Sequence, residues 1–336
     1  MVTANAANRL IQHYVDNFRS LPWRSPPGAA PPDPYGVWLS EVMLQQTTVA
    51  AVAPRFERFI RRWPTVQDLA AAADEEVLSE WAGLGYYARA RNLIACAREV
   101  AARGGFPDTE PELRKLPGIG EYTAAAIAAI AFGWRAVVVD SNVERVAARL
   151  NALERPTKAE LRVAVDAITP ETRAGDFAQA MMDLGATICR PRQPLCGECP
   201  LNSDCGAFSS GRPERFPGPK LRPSRPVRHG IAYWIERDGA VWLVRRPARG
   251  LLGGMASLPG PEWGVHAATA AGTALASVRH VFTHFELRLT IIAGAAPVGE
   301  GWWQPIASIA DAGLPTLYRR AVDAVLEANG ERRRAA

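Results

Sequence analysis

Four cysteines fall within seventeen residues of this chain and limit how that segment can fold. Cys189, Cys196, Cys199 and Cys205 are separated by six, two and five residues. Zinc sites usually pair two short hooks, and only Cys196 and Cys199 form such a hook here. Four thiols in one loop with a single hook suit an iron–sulfur cluster better, with zinc as the alternative. The segment is therefore predicted to wrap a metal group.

The composition describes a folded protein without a membrane span. Of its 336 residues, 48% are hydrophobic and 22% are charged, which fits two globular domains. No apolar run approaches the length of a membrane helix, and the first twelve residues lack the apolar core of a signal peptide. We therefore expect a cytoplasmic location, where disulfides are disfavoured. The lone Cys96 is then expected to be a buried apolar filler.

The periodicity and the composition of the sequence change along the chain, and these changes predict the domains. Residues 1–208 repeat apolar positions at helical spacing, punctuated by Gly and Pro. Segment 209–228 is rich in proline and has no periodicity, which is typical of a linker. Residues 229–330 mix strand-like and helix-like runs and predict a second, smaller α+β domain. Residues 331–336 are expected to be a frayed tail.

Local patterns predict the elements of this second domain. Asp238-Gly239 between two β-rich runs is a strong hairpin signal. The sequence alternates in a strand-like way from Phe285 onward, whereas AGTALASV (271–278) and TLYRRAVDAVLEAN (316–329) are predicted helices.

The positive charge is concentrated late in the chain. Residues 1–210 carry 22 Lys and Arg against 24 Asp and Glu, whereas residues 211–336 carry 17 against 10. Segment 211–228 holds six basic residues and one acidic residue. This segment is either a solvated linker or a strap that lies along phosphate, and charge alone leaves both open.

The stretch LPGIGEYTAAAI (116–127) places two glycines before an alanine-rich helix. Gly118 and Gly120 would let the backbone turn tightly and present N–H groups to something outside the protein. An ordinary joint between two helices is the alternative.

Longer motifs narrow the interpretation. Together with the cysteine spacing, the chain resembles the helix–hairpin–helix DNA glycosylases of the endonuclease III superfamily, and within them the adenine DNA glycosylases of the MutY type. The resemblance is carried by LPWR (21–24), WLSEVMLQQT (38–47), GLGYYARARN (83–92), LPGIGEYT (116–123), VDSNVER (139–145) and FAQAMMDLGA (177–186). It implies a bilobal, mainly α domain in which residues 33–136 form a six-helix lobe. The other lobe, built from 1–32 and 137–208, would hold a 4Fe–4S cluster.

Two carboxylates fit the chemistry that this resemblance implies, since cleavage of a glycosidic bond needs an acid and an anion beneath the sugar cation. Glu41 lies in an apolar, helix-prone run, where burial would raise its pKa; an exposed helix position is the alternative. Asp140 follows an aliphatic run and is expected to cap a helix, which alone would explain it. By resemblance, Glu41 protonates adenine at N7 and Asp140 stabilises the sugar cation, while Tyr122 and Asn142 orient them.

Tyr122 separates two kinds of enzyme within the superfamily. Bifunctional members carry a lysine at this position, whose amine attacks the sugar and leads to strand cleavage. Tyrosine cannot form that imine, and Lys115 lies on the far side of the hairpin. The resemblance therefore implies a monofunctional glycosylase.

The resemblance also assigns contacts to DNA with an extruded adenine. The residues so assigned are Gly118, Gly120, Gln45, Gln46, Tyr86, Gln179 and Arg24. Surface solvation is the alternative for the side chains. The expected partner is double-stranded DNA containing A:8-oxoguanine or A:G mispairs, bound by a monomer.

The second domain resembles the Nudix-like domain of this family, which reads 8-oxoguanine. GLLGGMASLP (250–259) and RHVFTHFELRL (279–289) carry the match, with Phe282, Thr283 and His284 as the reading loop. Glu262 is the one acid between residues 250 and 285, so the magnesium-holding glutamates of a Nudix hydrolase are missing and recognition is favoured over hydrolysis.

Two rival functions remain at this stage. One is a bifunctional or thymine-type glycosylase of the same superfamily. The other is a DNA-binding scaffold that keeps the hairpin and the cluster without chemistry, against which the presence of both Glu41 and Asp140 argues.

Overall fold

The structure, a computed structural model, falls by its contacts into two compact units. The first is Met1–Ala73 with Arg91–Lys220, and the second is Asp74–Ala90 with Leu221–Ala336. The residues described are 4–219, 225–247, 250–264, 272–282, 284–297 and 299–335. The predicted fold class is confirmed, because helices dominate the chain and sheets appear only after residue 226. The domain boundaries at 208 and 229 stay predictions.

Twelve of the α-helices of the described residues precede the strands, and one follows them. They are α1 Ala4–Asp16, α2 Pro34–Leu44, α3 Val49–Arg62, α4 Val66–Ala71, α5 Asp74–Glu80, α6 Tyr87–Arg103, α7 Glu110–Leu113, α8 Glu121–Ile130, α9 Ser141–Leu150, α10 Lys158–Asp166, α11 Ala174–Thr187, α12 Gly206–Ser209 and α13 Thr316–Ala335. Among the residues described, no helix is both long and apolar enough to cross a membrane.

The first unit packs its helices around α8 and α11. Helices α1, α9, α10 and α11 share one hydrophobic core, while α8 contacts α2, α7 and α11. The alanine-rich α8 is buried from Thr123 through Ile130. Its small side chains permit a close approach: a Cβ on Gly175 of α11 would lie 2.5 Å from the carbonyl oxygen of Ala129. This tight packing holds α2, α8 and α9 in fixed positions around the cavity described below.

The helical spacing of apolar residues, which the sequence shows over residues 1–208, is interrupted in the structure after Leu44. Helix α2 ends at Leu44 and α3 begins after Thr48, whose side chain accepts a hydrogen bond from the Ala51 amide. Gln46 in the break has a φ of 59°, which no helix accommodates. Apolar periodicity continues across this break, so spacing alone did not reveal it.

The second unit contains two small sheets and one long helix. Its strands are β1 Val227–Trp234, β2 Glu236–Arg237, β3 Ala240–Arg245, β4 Ala256–Ser257, β5 Ala274–Val281, β6 Glu286–Ala293 and β7 Gly301–Pro305. In one sheet, β6 lies between β1, to which it is parallel, and β5, to which it is antiparallel. In the other, β3 pairs with β2, β4 and β7. Helix α13 packs on β5 and closes a core of apolar side chains.

Two predictions for this unit are confirmed and one is wrong. Asp238 and Gly239 have φ angles of 50° and 72° and join β2 to β3 as the expected hairpin turn. The helix over 316–329 is confirmed, and it continues through Ala335 into residues expected to be a tail. The helix predicted over 271–278 is wrong, because residues 274–278 start β5. Pairing with β6 overrides the helix preference of its alanines.

Candidate active site

Helix α2 carries Glu41 into the interior of the first unit. The helix begins at Pro34, and the Asp33 side chain caps it by accepting a hydrogen bond from the Tyr35 amide at 2.7 Å. Residues 37–43 are all buried, so α2 has no solvated face. Only 6% of Glu41 is exposed, which confirms the burial predicted from its apolar neighbours.

Tyr122 is the hydrogen-bond donor to the Glu41 carboxyl. It projects from the first turn of α8, and its hydroxyl donates to Oε2 at 2.5 Å. Burial raises the pKa of Glu41 from 4.5 to about 7, the Tyr122 hydrogen bond opposes this rise, and the negative charge of Asp140 adds to it. Near neutral pH, a substantial fraction of Glu41 therefore holds a proton.

Asp140 caps α9 at the wall of the same cavity. Its Oδ1 accepts from the Val143 amide at 2.7 Å, as predicted for a capping residue, and its Oδ2 accepts from the Asn142 side chain at 3.2 Å. Burial raises the pKa of Asp140, and the hydrogen bonds from Val143 and Asn142 oppose the rise. Asn142 is held in turn by Arg145, which donates to its Oδ1 at 2.9 Å.

These groups open onto one cavity of about 470 Å³, a volume suited to a small organic group. The structure brings together eight residues that the sequence singled out, although their roles stay predictions. They are Glu41, Asp140, Tyr122, Asn142, Gln45, Gln46, Gln179 and Arg24. Gln179 is 7% exposed, so surface solvation no longer describes it.

An ion pair in the cavity wall was missed by the sequence reasoning. Arg24 donates to both carboxylate oxygens of Asp183, at 2.6 and 3.0 Å, and Arg19 donates to the same group at 2.9 Å. The Arg24 guanidinium is therefore committed to a protein partner as well as facing the cavity. One signal was present: Asp183 follows Gln179 by one helical turn within FAQAMMDLGA.

Met182 is a second missed residue of the cavity wall. Its Sδ lies 3.4 Å from the Tyr122 hydroxyl. In the sequence it reads as one more apolar residue of a buried helix.

The glycine hairpin lies between α7 and α8. Gly118 has a φ of +75°, and a Cβ there would come within 2.7 Å of Asn92 Cβ, so the fold itself requires glycine. Gly120 has an ordinary φ of −90°, and no atom of the described residues lies within 4 Å of a Cβ built on it. The space beside Gly120 is open to an outside group.

The remaining predicted residues do not line this cavity. Tyr86 belongs to Asp74–Ala90 in the second unit, is 49% exposed, and lies under the Arg89 guanidinium at 5.2 Å. Phe282 packs against Trp263 and Phe285 in the loop between β5 and β6, and His284 is exposed there. Thr283 lies outside the described residues.

The four cysteines surround a separate small cavity after α11. All are free thiols, whereas Cys96 is buried alone, as expected. Among the residues described, no three His, Cys, Asp or Glu side chains converge on the position of a single metal ion. Four thiols around one small cavity are the residues that an iron–sulfur cluster requires.

The buried Arg149 organises this loop. Its guanidinium donates to Cys189 Sγ at 3.4 Å and to the backbone oxygens of Arg190, Pro191 and Phe216 at 2.6 to 2.9 Å. A buried positive charge beside thiolates fits an anionic cluster.

Comparison with known proteins agrees with this geometry. Residues 39–171 match the HhH-GPD superfamily of base excision DNA repair proteins, residues 189–205 match the iron–sulfur binding domain of endonuclease III, and residues 230–324 match the NUDIX domain. The iron–sulfur prediction is thereby confirmed over zinc.

Several curated relatives carry one name. The chain is 36% identical to adenine DNA glycosylase of Rattus norvegicus, covering 85% of this chain and 69% of the relative. It is 42% identical to that of Mycolicibacterium smegmatis, covering 61% and 70%. It is 38% identical to that of Arabidopsis thaliana, covering 74% of this chain but only 46% of the relative. The chain thus spans between about half and two thirds of the length of these relatives.

Solved structures share the fold of the helical part. A thermostable thymine-DNA glycosylase is 28% identical, with a TM-score of 0.55, and the match covers 61% of this chain and 95% of that protein. Endonuclease III, trapped as a covalent intermediate with DNA, is 26% identical, with a TM-score of 0.53 and coverage of 63% and 99%. Because relatives at 36% and 42% identity are covered over more than two thirds of their length and share one name, the chain belongs to the adenine DNA glycosylase family of the HhH-GPD superfamily.

Proposed function

We propose that the protein is a monofunctional glycosylase that hydrolyses the N-glycosidic bond of adenine opposite 8-oxoguanine or guanine in DNA. The observation that carries the proposal is the buried Glu41 carboxyl, which is hydrogen-bonded to Tyr122 and faces one cavity with Asp140. A cavity with a protonated acid and a nearby carboxylate supplies the two groups that glycosidic cleavage needs.

Glu41 is assigned as the general acid. Because the Tyr122 hydroxyl donates to Oε2, that oxygen acts as an acceptor and the acidic proton resides on Oε1. Transfer of this proton to adenine N7 makes the base a better leaving group. The resulting carboxylate, still held by Tyr122, can then accept a proton from the attacking water.

Asp140 is assigned to the sugar. As the glycosidic bond breaks, positive charge develops on the sugar ring, and a carboxylate fixed by Val143 and Asn142 stabilises it without having to reorient. Asn142 is a positioning residue in this scheme, because it acts through Asp140.

Among the described residues that line the cavity with Glu41, none is a lysine, which supports a monofunctional enzyme. By resemblance, Tyr122 occupies the position at which bifunctional members carry a lysine. Lys115 is ion-paired with Glu112 on the hairpin surface. We expect no borohydride-trapped adduct with DNA that contains the substrate mispair. A strong adduct would contradict this assignment.

DNA is expected to be held at the hairpin and read at the extruded base. The free N–H groups at the start of α8, together with the helix dipole, suit a DNA phosphate. Gln45, Gln46 and Gln179 offer amides to the edges of an adenine in the cavity, and Tyr86 is assigned to wedge into the base stack.

The Nudix domain is assigned to the opposite base. The proposed reading loop contains Phe282, Thr283 and His284. Its partners Trp263 and Phe285 give the described part of the loop an aromatic base, which favours stacking with a purine.

Cys189, Cys196, Cys199 and Cys205 are the residues that would hold the 4Fe–4S cluster. When bound, the cluster supplies cross-links that fix the loop at the end of α11. We further propose that the protein acts as a monomer on chromosomal DNA in the cytoplasm.

The test is base excision by iron-loaded protein on four duplexes, with and without alkali. We expect alkali-revealed abasic sites in A:8-oxoguanine and A:G duplexes and none in T:G or thymine glycol duplexes. Cleavage without alkali, or a preference for T:G or thymine glycol, would favour the bifunctional or thymine-type rival. Equal base release by Glu41→Gln would contradict the acid assignment, and binding without release by the wild type would favour a scaffold.

A further inference from the structure

Helix α8 begins with an acidic residue where the proposed function places a DNA phosphate. Glu121 is the first residue of α8, directly after Gly120, and its side chain is 56% exposed. An acid there stabilises the helix through its dipole, but it also repels an incoming phosphate at the same N–H groups. The hairpin therefore needs a compensating positive charge.

Arg162 forms an ion pair with Glu121. It reaches from α10 and places Nη1 3.0 Å from Glu121 Oε1, while its Nη2 lies 3.9 Å from Glu110 at the start of α7. Among the residues described, Glu121 has this one salt-bridge partner. Arg162 also donates to the backbone oxygen of Val137 at 3.3 Å, in the extended segment that leads to Asp140.

The worth of this pair as a stabilising bridge is small. Both side chains are more than one third exposed, and exposed ion pairs contribute little to stability. The pair has a larger effect on an incoming anion. While both charges are present they offset each other at the first turn of α8, but a positive charge left alone adds to the helix dipole and a negative charge left alone opposes it.

We propose that Arg162 is a positioning residue for DNA: it neutralises Glu121 and so keeps the start of α8 able to receive a phosphate. The inference rests on the proposed function and adds to it a pair of opposite charges that sets the affinity of the hairpin for phosphate. Glu121 and Arg162 then act on affinity with opposite signs, although they form one ion pair.

Equilibrium binding of the iron-loaded full chain to undamaged duplex DNA tests this directly, because no base excision is involved. We expect Arg162→Ala to weaken binding and Glu121→Gln to tighten it, each by about two- to five-fold. The double variant should bind within about twofold of the wild type, and Arg162→Lys should stay closer to the wild type than Arg162→Ala, since lysine keeps the positive charge beside Glu121.

A matched pair controls for surface charge in general. Arg135 forms surface ion pairs with Glu171 at 3.1 Å and with Asp166 at 2.8 Å, outside the glycine hairpin. Arg135→Ala and Glu171→Gln make the same changes in charge and should leave affinity close to that of the wild type. Thermal midpoints verify that each variant is folded.

The outcomes separate the explanations. If Glu121→Gln weakens binding as Arg162→Ala does, the pair is only a structural tie and the inference is wrong. If the double variant stays as weak as Arg162→Ala and the salt slope falls by about one, Arg162 contacts phosphate itself and the inference is also wrong. If the wild type binds duplex DNA and none of these substitutions changes the affinity, the inference alone is wrong. If the wild type binds no duplex DNA, the proposed function is wrong as well.

Discussion

At the scale of single residues, two carboxyl groups of one cavity are given different properties by their surroundings. Glu41 sits in a helix buried on all sides and has Tyr122 as its donor, so its pKa rises to about 7. Asp140 sits at a helix start, where backbone and side-chain donors oppose the effect of burial on its pKa. Burial raises the pKa of both groups, and the larger number of donors to Asp140 supports our proposal that Glu41 holds the proton and Asp140 the charge.

Glu41 should destabilise the folded state above neutral pH. A carboxyl whose pKa rises from 4.5 to about 7 on folding contributes stability below pH 4.5 that is lost as the pH rises through 7. A shift of that size corresponds to ~3 kcal/mol. Glu41→Gln should therefore raise the thermal midpoint at about pH 8, with a difference that shrinks toward about pH 4. An equal midpoint at both values would show that the carboxyl is not buried in solution.

Tyr122→Phe should change the pH dependence of excision as well as its rate. The substitution removes the hydrogen bond that opposes the rise in the pKa of Glu41. The basic limb of the pH–rate profile should then move to higher pH, with a rate about tenfold lower at its maximum. Single-turnover excision across pH measures both effects, and a limb that stays in place would remove Tyr122 from the assignment.

The sequence revealed residues whose environment is local. The run VWLSEVML predicts the burial of Glu41, and AVVVDSNVER predicts Asp140 as a cap, because each depends on neighbours a few positions away. The bidentate pair of Arg24 with Asp183 joins side chains 159 residues apart, and the position of Asp183 one turn after Gln179 indicates its helix face but not its partner. The pair became visible only with the tertiary fold.

At the scale of elements, the two hairpin glycines serve different purposes. Gly118→Ala should destabilise the protein by about 1–3 kcal/mol, since φ is positive and Asn92 blocks a Cβ. Gly120→Ala, at the N-cap of α8, should cost about 0.5–1 kcal/mol, yet lower DNA affinity, because its methyl group would stand where a phosphate approaches. Thermal unfolding and duplex binding measure the two effects. A Gly120 variant with unaltered affinity would exclude close contact with DNA there.

Elements with strong periodicity were predicted well, whereas their ends and pairings were not. Helix α8 and the Asp238-Gly239 turn follow from local pattern. The break at Gln46 and the strand over 274–281 do not, because the first depends on one residue with positive φ and the second on pairing with β6. For the strand, pairing with β6 outweighs local preference.

At the scale of the whole molecule, the chain joins a helical domain that carries the candidate active site to a Nudix domain in which the sequence shows no magnesium site. The composition shift around 209–228 predicts two domains. It does not predict that residues 74–90 group with 221–336, because that grouping follows from packing and not from composition. The proposed division of labour is excision by the first domain and lesion reading by the second.

His284→Ala tests this division. His284 is exposed in the loop between β5 and β6, so its loss should leave folding intact. We expect weaker binding to A:8-oxoguanine duplexes and unchanged binding to A:G duplexes. Arg237→Ala, at another exposed site of the same unit, is the control. Equal losses on both duplexes would contradict a reading role.

The most direct test of the whole account is the single-turnover rate of adenine release from a saturating A:8-oxoguanine duplex, followed across pH for the wild type, Glu41→Gln and Asp140→Asn. The account predicts a wild-type rate that falls above about pH 7, as Glu41 loses its proton. It predicts that both variants bind the duplex but release at least about a hundredfold less adenine. A rate independent of pH, together with undiminished release by Glu41→Gln, would contradict it.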